Sequence, residues 1–324
     1  MRTLIRFLLP AALLALSGMH GSSLAQSFPN KPIRFVLPYT PGGTTDALLR
    51  PLAQRLSETL GQAVVVENKP GANGIVGSDF VAKSAPDGYT LVLGAIGPFA
   101  VSGALQKLPY DPVKDFAPVT FLASVPNVLV VLPSMPVNSV AELAAHAKTR
   151  VGELTYGSTG PGSSNQLAAE LFNLAAGIKT TQVAYKGGAA AQVDLLGGHI
   201  TMMFDNLPAA APHVKAGKFK ALAITSLKRQ AVLPEVPTMD ELAYPKFEAG
   251  SWFGALAPAG TPRAIIDRLN GAIVSAMREP ALRDRYVSQG FDLNPGSPEQ
   301  FAAFMQNETV KWHRVVAEAG IKAQ

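Results

Sequence analysis

The 324-residue sequence contains no cysteine. That excludes thiol catalysis, thiolate metal sites and disulfide staples, and with them the lipid-bearing cysteine of a membrane-tethered lipoprotein. Long apolar runs are missing as well. The run from Phe7 to Leu16 is too short to span a bilayer, and no later segment reaches about 18 uninterrupted apolar residues, so no membrane-spanning helix is expected. Charge is sparse, at 16% of residues, and the aromatic side chains, at 7%, are not interleaved with basic runs. Nucleic acid is therefore not an expected partner.

What is present begins with a leader. Arg2 and Arg6, the apolar stretch behind them and Ser23-Leu24-Ala25 have the form of a secretory signal peptide over residues 1–25, cleaved near Ala25. The remaining 299 or so residues are expected to be exported to the periplasm and to form one large or two modest domains. Their net charge is small: without Arg2 and Arg6, 26 basic residues face 23 acidic ones, a formal +3 with histidines neutral.

Along the mature chain, short apolar runs each feed a glycine-rich turn and then a helical pattern. Ile33–Leu37 leads to Tyr39–Asp46 and an amphipathic helix, Ala63–Glu67 leads to KPGANG and a helix over Ile75–Ala85, and Thr90–Leu93 ends in Gly94-Ala95-Ile96-Gly97. This is the pattern of a parallel α/β sheet, whose ligands bind at the carboxyl ends of the strands. A strand over Val119–Ala123 is expected to leave this lobe, and Asn127–Leu132 to start a second sheet.

The order then repeats: a helix over Val140–Thr149, strand Leu154–Tyr156, turn GSTGPGSS and a helix from Asn165. Strand Gln182–Tyr185 meets KGG and a helix from Ala189, and strand Ile200–Phe204 meets Asp205-Asn206 and a short helix. Gly42 to Gly160 and Val65 to Val183 are both offsets of 118, and Val92 to Met203 is 111, a topological echo with little side-chain identity. Ser251–Leu256 reads as a strand returning to the first lobe, followed by helices over Arg263–Met277, Ala281–Gln289 and Pro298–Glu318, the last with Ser297 and Gln300 spaced as a capping box. Two crossings imply a two-strand hinge, with the C-terminal helices packed on the first lobe.

The turn from Tyr39 to Asp46 is an anion site in outline. Gly42 and Gly43 let backbone N–H groups turn toward a ligand at the positive end of a helix, while the plain alternative is a strand-to-helix turn whose Asp46 offsets the dipole. The turn from Gly157 to Ser164 adds four hydroxyls and three glycines at another helix start. Gly157 and Gly162 have the spacing of a phosphate loop, but Ser163 stands where its lysine belongs, and KPGANGIVG does not follow G-x-G-x-x-G. No G-x-S-x-G elbow occurs, and His146, His199, His213 and His313 have no triad or metal spacing. Lys186 and Asp205 are ambiguous between ligand contact and surface or capping roles, and Trp252 and Phe253 are read as core.

The blocks KPIRFVLPYTPGGTTD, ENKPGANGIVGSDFVAKSAPDGYTLVLG, LTYGSTGPGSSNQLAAELF, VAYKGGAAAQVDLLGGHITMMFDN and SWFGALAPAGTP resemble the tripartite tricarboxylate transporter substrate-binding receptors, the Bug or TctC-like proteins. The similarity covers essentially the whole mature chain. It implies an α/β, two-lobe periplasmic binding protein of Venus-flytrap, type II-like form that captures a small organic carboxylate and hands it to integral-membrane transporter subunits. Lobe 1 is expected over 26–123 and 252–324 and lobe 2 over 124–251, acting as a monomer with no cofactor and no metal. Members of the family hold a ligand carboxylate with the two glycine-rich turns, partly through ordered waters. Carried over, these are Tyr39, Thr40, Gly42, Gly43, Thr44 and Asp46 in the first turn and Ser158, Thr159, Gly160, Gly162, Ser163 and Ser164 in the second. Ala72, Asn73, Ala95, Tyr185 and Asp205 would line the cleft. Asn165 departs from the histidine that many relatives carry after the second turn. A periplasmic enzyme using Asp46 or Asp205 as base, or a receptor feeding a signalling sensor, are the alternatives, and the ligand could be a dicarboxylate, a tricarboxylate, an amino acid or an aromatic acid.

Overall fold

The computed structural model describes residues 28–322, so the signal peptide expected over 1–25 lies outside the described residues. The first lobe is built from β1 (Ile33–Leu37), α1 (Thr44–Leu60), β2 (Val64–Asn68), α2 (Ile75–Ala82), β3 (Thr90–Ala95) and a short α3 (Ser102–Leu105). β1 pairs in parallel with β2 on one side and β3 on the other. β3 and β1 are largely apolar on both faces because both faces are covered, with Arg34 of β1 the exposed exception. On one face α1 contributes Leu48, Leu49, Leu52 and Leu56, each almost fully buried and each worth about 1.5–3 kcal/mol relative to exposure. On the other face Ile75 and Val81 of α2 pack with Phe99. α2 ends at Ala82, three residues earlier than the sequence pattern suggests. Pro86 follows closely, and the residue before a proline is biased away from helix.

β4 (Phe116–Val131) leaves this lobe as one continuous strand of 16 residues where the sequence suggested two. Pro118 and Pro126 both fall inside it. In this stretch β4 has β9 on one flank, while the other is covered only at Ala123 and Ser124, so a missing N–H there interrupts no long ladder.

The second lobe follows with α4 (Val140–Thr149), β5 (Thr155–Ser158), α5 (Ser164–Ala176), β6 (Thr181–Ala184), α6 (Gly188–Leu196), β7 (Met202–Asn206), α7 (Leu207–Lys215) and β8 (Lys220–Ile224). The strand β8 was not anticipated from the sequence. β5 pairs in parallel with β6 and β7, and the far end of β4 runs antiparallel between β7 and β8. Helices α4 and α5 cover one face around Tyr156, Phe172 and Phe204, and α6 and α7 cover the other around Leu195, Met203 and Leu207.

β9 (Gly250–Pro258) returns, pairing with β4 and then with β3. The remaining elements are α8 (Arg263–Arg278), α9 (Pro280–Ser288), β10 (Asp292–Leu293) and α10 (Pro298–Glu318). Ile266, Leu269 and Tyr286 join one core of the first lobe, and Phe301, Met305 and Trp312 the other. The expected capping box is present: Ser297 Oγ accepts from the Gln300 N–H, and Gln300 accepts from the Ser297 N–H.

The strand order β2-β1-β3-β9-β4-β7-β5-β6 makes the echo explicit. Each half is a parallel trio, β2-β1-β3 or β6-β5-β7, flanked by an antiparallel crossing strand. β1 and β5, both central, end at the two glycine-rich turns, so those turns face one another across the crossing strands.

Candidate ligand-binding site

A cavity lies between the two halves, with about 50 Å³ open to the centres of water-sized molecules. The space is on the scale of a small-molecule site.

Each wall is built by a strand that ends, a turn, and a helix that starts. On the first lobe β1 delivers Tyr39, Thr40 and Gly43, and α1 begins with Thr44 and Thr45 at the cavity. On the second lobe Thr159 and the helix cap Ser163 precede Ser164 and Asn165 of α5. Gly188 opens α6, while Asn206 immediately precedes α7 and Ala209 lies in its first turn. Four helix N-termini thus converge on one small space. First-turn N–H groups have no carbonyl of their own helix to reach, and each aligned helix favours an anion by about 0.3–2 kcal/mol. Among the described residues, no lysine, arginine or histidine lines the cavity.

Both turns are braced internally in the same way. The Gly42 N–H donates to Asp46 Oδ2, and the Gly162 N–H donates to Gln166 Oε1 at 2.7 Å. Gly42 sits at φ +91°, a conformation that glycine adopts without strain. Asp46 is held further by Arg50 Nε at 2.7 Å, and Arg50 by Asn68, whose amide reaches the Tyr39 carbonyl at 2.8 Å. Gly42, Asp46 and Gly162 therefore stand behind the cavity wall, with these N–H groups spent inside their own turns.

Of the other residues named from the sequence, Tyr39, Thr40, Gly43, Thr44, Asn73, Thr159, Ser163, Ser164 and Asp205 line the cavity. Ser158 lies behind it, its Oγ accepting from Gln182 Nε2 at 2.6 Å and from the Gly160 N–H. Tyr185 is turned away, donating to Asp194 at 2.7 Å, and its hydroxyl is pushed up to about 12 by burial and then by that carboxylate. Ala72, Ala95 and Gly160 are also outside the wall, and Lys186 is exposed. The wall gains Thr45, Ile96, Gly97, Asn165, Gly188, Asn206, Ala209, Ser251 and Phe253. Phe253, expected as core, is both buried and part of the wall, whereas Trp252 packs edge-on against Phe301 and Phe304. Asn165 directs its amide to the Phe204 carbonyl at 2.6 Å and so steadies the end of β7.

The halves touch around the cavity. Asn73, in the left-handed region at φ +51°, donates from Nδ2 to the Pro161 carbonyl at 3.1 Å and accepts from Thr159 Oγ1 at 3.0 Å. Gly187 abuts Thr40, and Gly162 abuts Ser102. Thr40 Oγ1 is buried in the wall with no protein partner. Tyr39, raised above its ordinary range by burial and by nearby Tyr110, stays a neutral phenol. Asp205 is 2% exposed and accepts from Gln192 Nε2 and from the Asn206 N–H at 2.9 Å. Burial pushes its carboxyl up to about 7, against the lowering effect of those two hydrogen bonds.

Two α/β lobes joined by crossing strands, with a polar cavity between them, define a two-lobe solute-binding protein of the periplasmic binding protein fold. Residues 48–321 match the family described as the tripartite tricarboxylate transporter family receptor, and the chain belongs to that family. It is similar to protein BugT of Bordetella pertussis, with 40% identity over 311 residues and 95% of each chain covered. The R. palustris protein Rpa4515, solved with adipate, is 39% identical with a TM-score of 0.88 over 91% of this chain and 99% of its own. MatC (Rpa3494) from Rhodopseudomonas palustris, with bound malate, is 33% identical with a TM-score of 0.86 over 89% of this chain and all of its own.

Proposed function

We propose that this receptor captures a small organic carboxylate between its lobes, without turnover, and delivers it from the periplasm to the membrane subunits of a tripartite transporter. The convergence of four helix N-termini on a cavity free of basic side chains carries this reading. It supplies oriented N–H groups and hydroxyls for a carboxylate and no cation for a phosphate chain. Charge-assisted hydrogen bonds contribute about 1.5–3 kcal/mol each, so a few leave roughly 8 kcal/mol, or micromolar affinity, after the costs of association. The adipate and malate in the two related structures fall in the same chemical class.

Thr40, Thr44, Thr45, Thr159, Ser164 and Asn206 are the residues we assign to ligand contact. The moving bodies are residues 26–123 with 252–324, and residues 124–251, hinged where β4 and β9 cross. Closure presents a surface that the membrane partner distinguishes from the open form.

Titration calorimetry of the mature protein against succinate, malate and adipate tests the assignment. Binding of at least one acid at micromolar Kd is expected. A Cβ at Gly43 meets no atom within 4 Å, and φ there is −94°, so Gly43→Val should fold normally, project into the cavity and abolish binding. Binding of a neutral sugar with no response to any of the acids would overturn the assignment.

A further inference from the structure

Asp205 is an unexpected group in an anion site. It is the sole carboxylate on the cavity wall among the described residues, it is almost wholly buried, and no cation is placed against it. Its two oxygens receive one donor each, from Gln192 and from the Asn206 backbone, which leaves lone pairs directed into a low-dielectric space. A Cβ built on Gly188, itself on the wall, would stand 3.7 Å from Asp205 Oδ1, which places that oxygen beside the space a ligand enters.

The charged and titratable groups on the surrounding elements are engaged elsewhere or stand apart. On α6, Asp194 accepts from Tyr185. On α5, Glu170 accepts from Tyr156 of β5 at 2.5 Å. His213 and Lys215 occupy the last turn of α7, the end away from Asp205. Lys220 of β8 is bonded to the Met135 and Val137 carbonyls, and β4 carries no titratable residue. Lys186, before α6, is exposed. Across the cavity, Asp46 of α1 is paired with Arg50, and Tyr39 is a neutral phenol. A ligand carboxylate entering this space meets Asp205 with no counter-charge between them, and two carboxylates sharing a site cannot both stay ionised at ordinary cost.

We propose that the ligand anion is bound together with one proton, which Asp205 takes up, so that the side chain stands in the complex as a neutral acid donating its O–H to the ligand. This rests on the carboxylate-capture reading above. The proton comes from solvent, one O–H bond forms on Asp205, and no bond of the ligand breaks. Asp205 thereby admits an anion with no cationic group of its own, at the expense of a proton drawn from solution. Burial already holds its carboxyl near neutrality before the ligand arrives, at about 7, so the uptake is partial at that pH and grows above it.

The experiment is titration calorimetry of the mature protein with malate and with adipate, in phosphate and in Tris at matched pH, between pH 6.5 and 8.5. The dependence of the observed heat on buffer ionisation heat counts the protons. Linkage predicts about 0.5 proton taken up per ligand at pH 7, rising toward about 1 near pH 8, with affinity weakening up to about tenfold per pH unit across that range. Asp205→Asn removes both the uptake and the pH dependence. Should that variant fail to fold, the two-buffer measurement on the unaltered protein still decides. Equal heats in both buffers with pH-independent affinity, or proton release, while an acid still binds would overturn the proposal and leave the capture reading intact. If no acid binds in either buffer, it is the capture reading that fails.

Discussion

Gly187 and Thr40 meet beside the cavity so closely that a Cβ on Gly187 would lie 2.1 Å from Thr40 Oγ1 and 3.1 Å from the Thr40 nitrogen. The backbone of Gly187 is extended, at φ 174°, a conformation open to any residue. Substitution therefore strains neither the turn nor the fold; it strains the approach of the two lobes. Gly187→Ala should leave thermal unfolding of the ligand-free protein unchanged. Overpacking of this kind costs about 1–3 kcal/mol, so calorimetry should show binding weaker by about 5- to 150-fold. Asp46 acts differently. It accepts from the Gly42 N–H and from Arg50, so its carboxylate shapes the first turn and stays behind the wall. From the sequence its place after two glycines and two threonines looked equally suited to touching a ligand, because residue type does not reveal which way a short side chain turns.

Helices set the field of the site. The glycine-rich turns before α1 and α5 marked two of the four converging N-termini in the sequence. The other two, of α6 and α7, carried a weaker signal: KGG and Asp-Asn are ordinary turn residues, and that their helices aim at the same space depends on β6 and β7 flanking β5. The sequence pattern divides β4 into two strands around Pro126, yet there β4 is paired with β9 on one flank and open on the other, so a residue without an N–H interrupts no long ladder. At the other end of the chain, local rules were sufficient. α10 starts at the Ser297–Gln300 capping box, where all the partners lie within one turn. Ser297→Ala should cost about 1 kcal/mol of unfolding free energy, measured by urea denaturation of the first lobe's aromatic signal. A loss below a few tenths of a kcal/mol would mean that the packing of Phe301 and Trp312 alone holds this helix end.

At the scale of the molecule, two hydrogen bonds at Asn73 join the lobes: its amide donates to the Pro161 carbonyl and its carbonyl oxygen accepts from the Thr159 hydroxyl. They exist only while the jaws are together, so they favour the closed form whatever ligand is present. At about 1 kcal/mol each, their loss in Asn73→Ala should weaken binding by at most on the order of 30-fold. The same variant should enlarge the radius of gyration of the ligand-free protein in solution scattering. An unchanged radius together with unchanged affinity would show that closure is driven by the ligand alone. Within residues 28–322 the two lobes and their crossings were legible, and the offset of 118 between Gly42 and Gly160 matches the equivalent central places of β1 and β5 in their sheets.

The sequence by itself determined most of the element order, with β8 and the continuity of β4 the exceptions, together with the echo between the halves, the two anion-favouring turns and the absence of basic residues within them. These follow from local chemistry: apolar runs make buried strands, glycines make turns, and a serine with a glutamine three residues on caps a helix. Only the tertiary structure decided which polar groups face the cavity and which are spent inside the protein. Gly42, Gly162, Ser158 and Tyr185 looked available and are satisfied by near neighbours, whereas Thr45, Asn206 and Phe253 reach the wall. The difference arises because hydrogen bonds within a turn are completed before a ligand arrives. The cavity is lined by what those bonds leave over, and that remainder depends on how two distant segments are brought together.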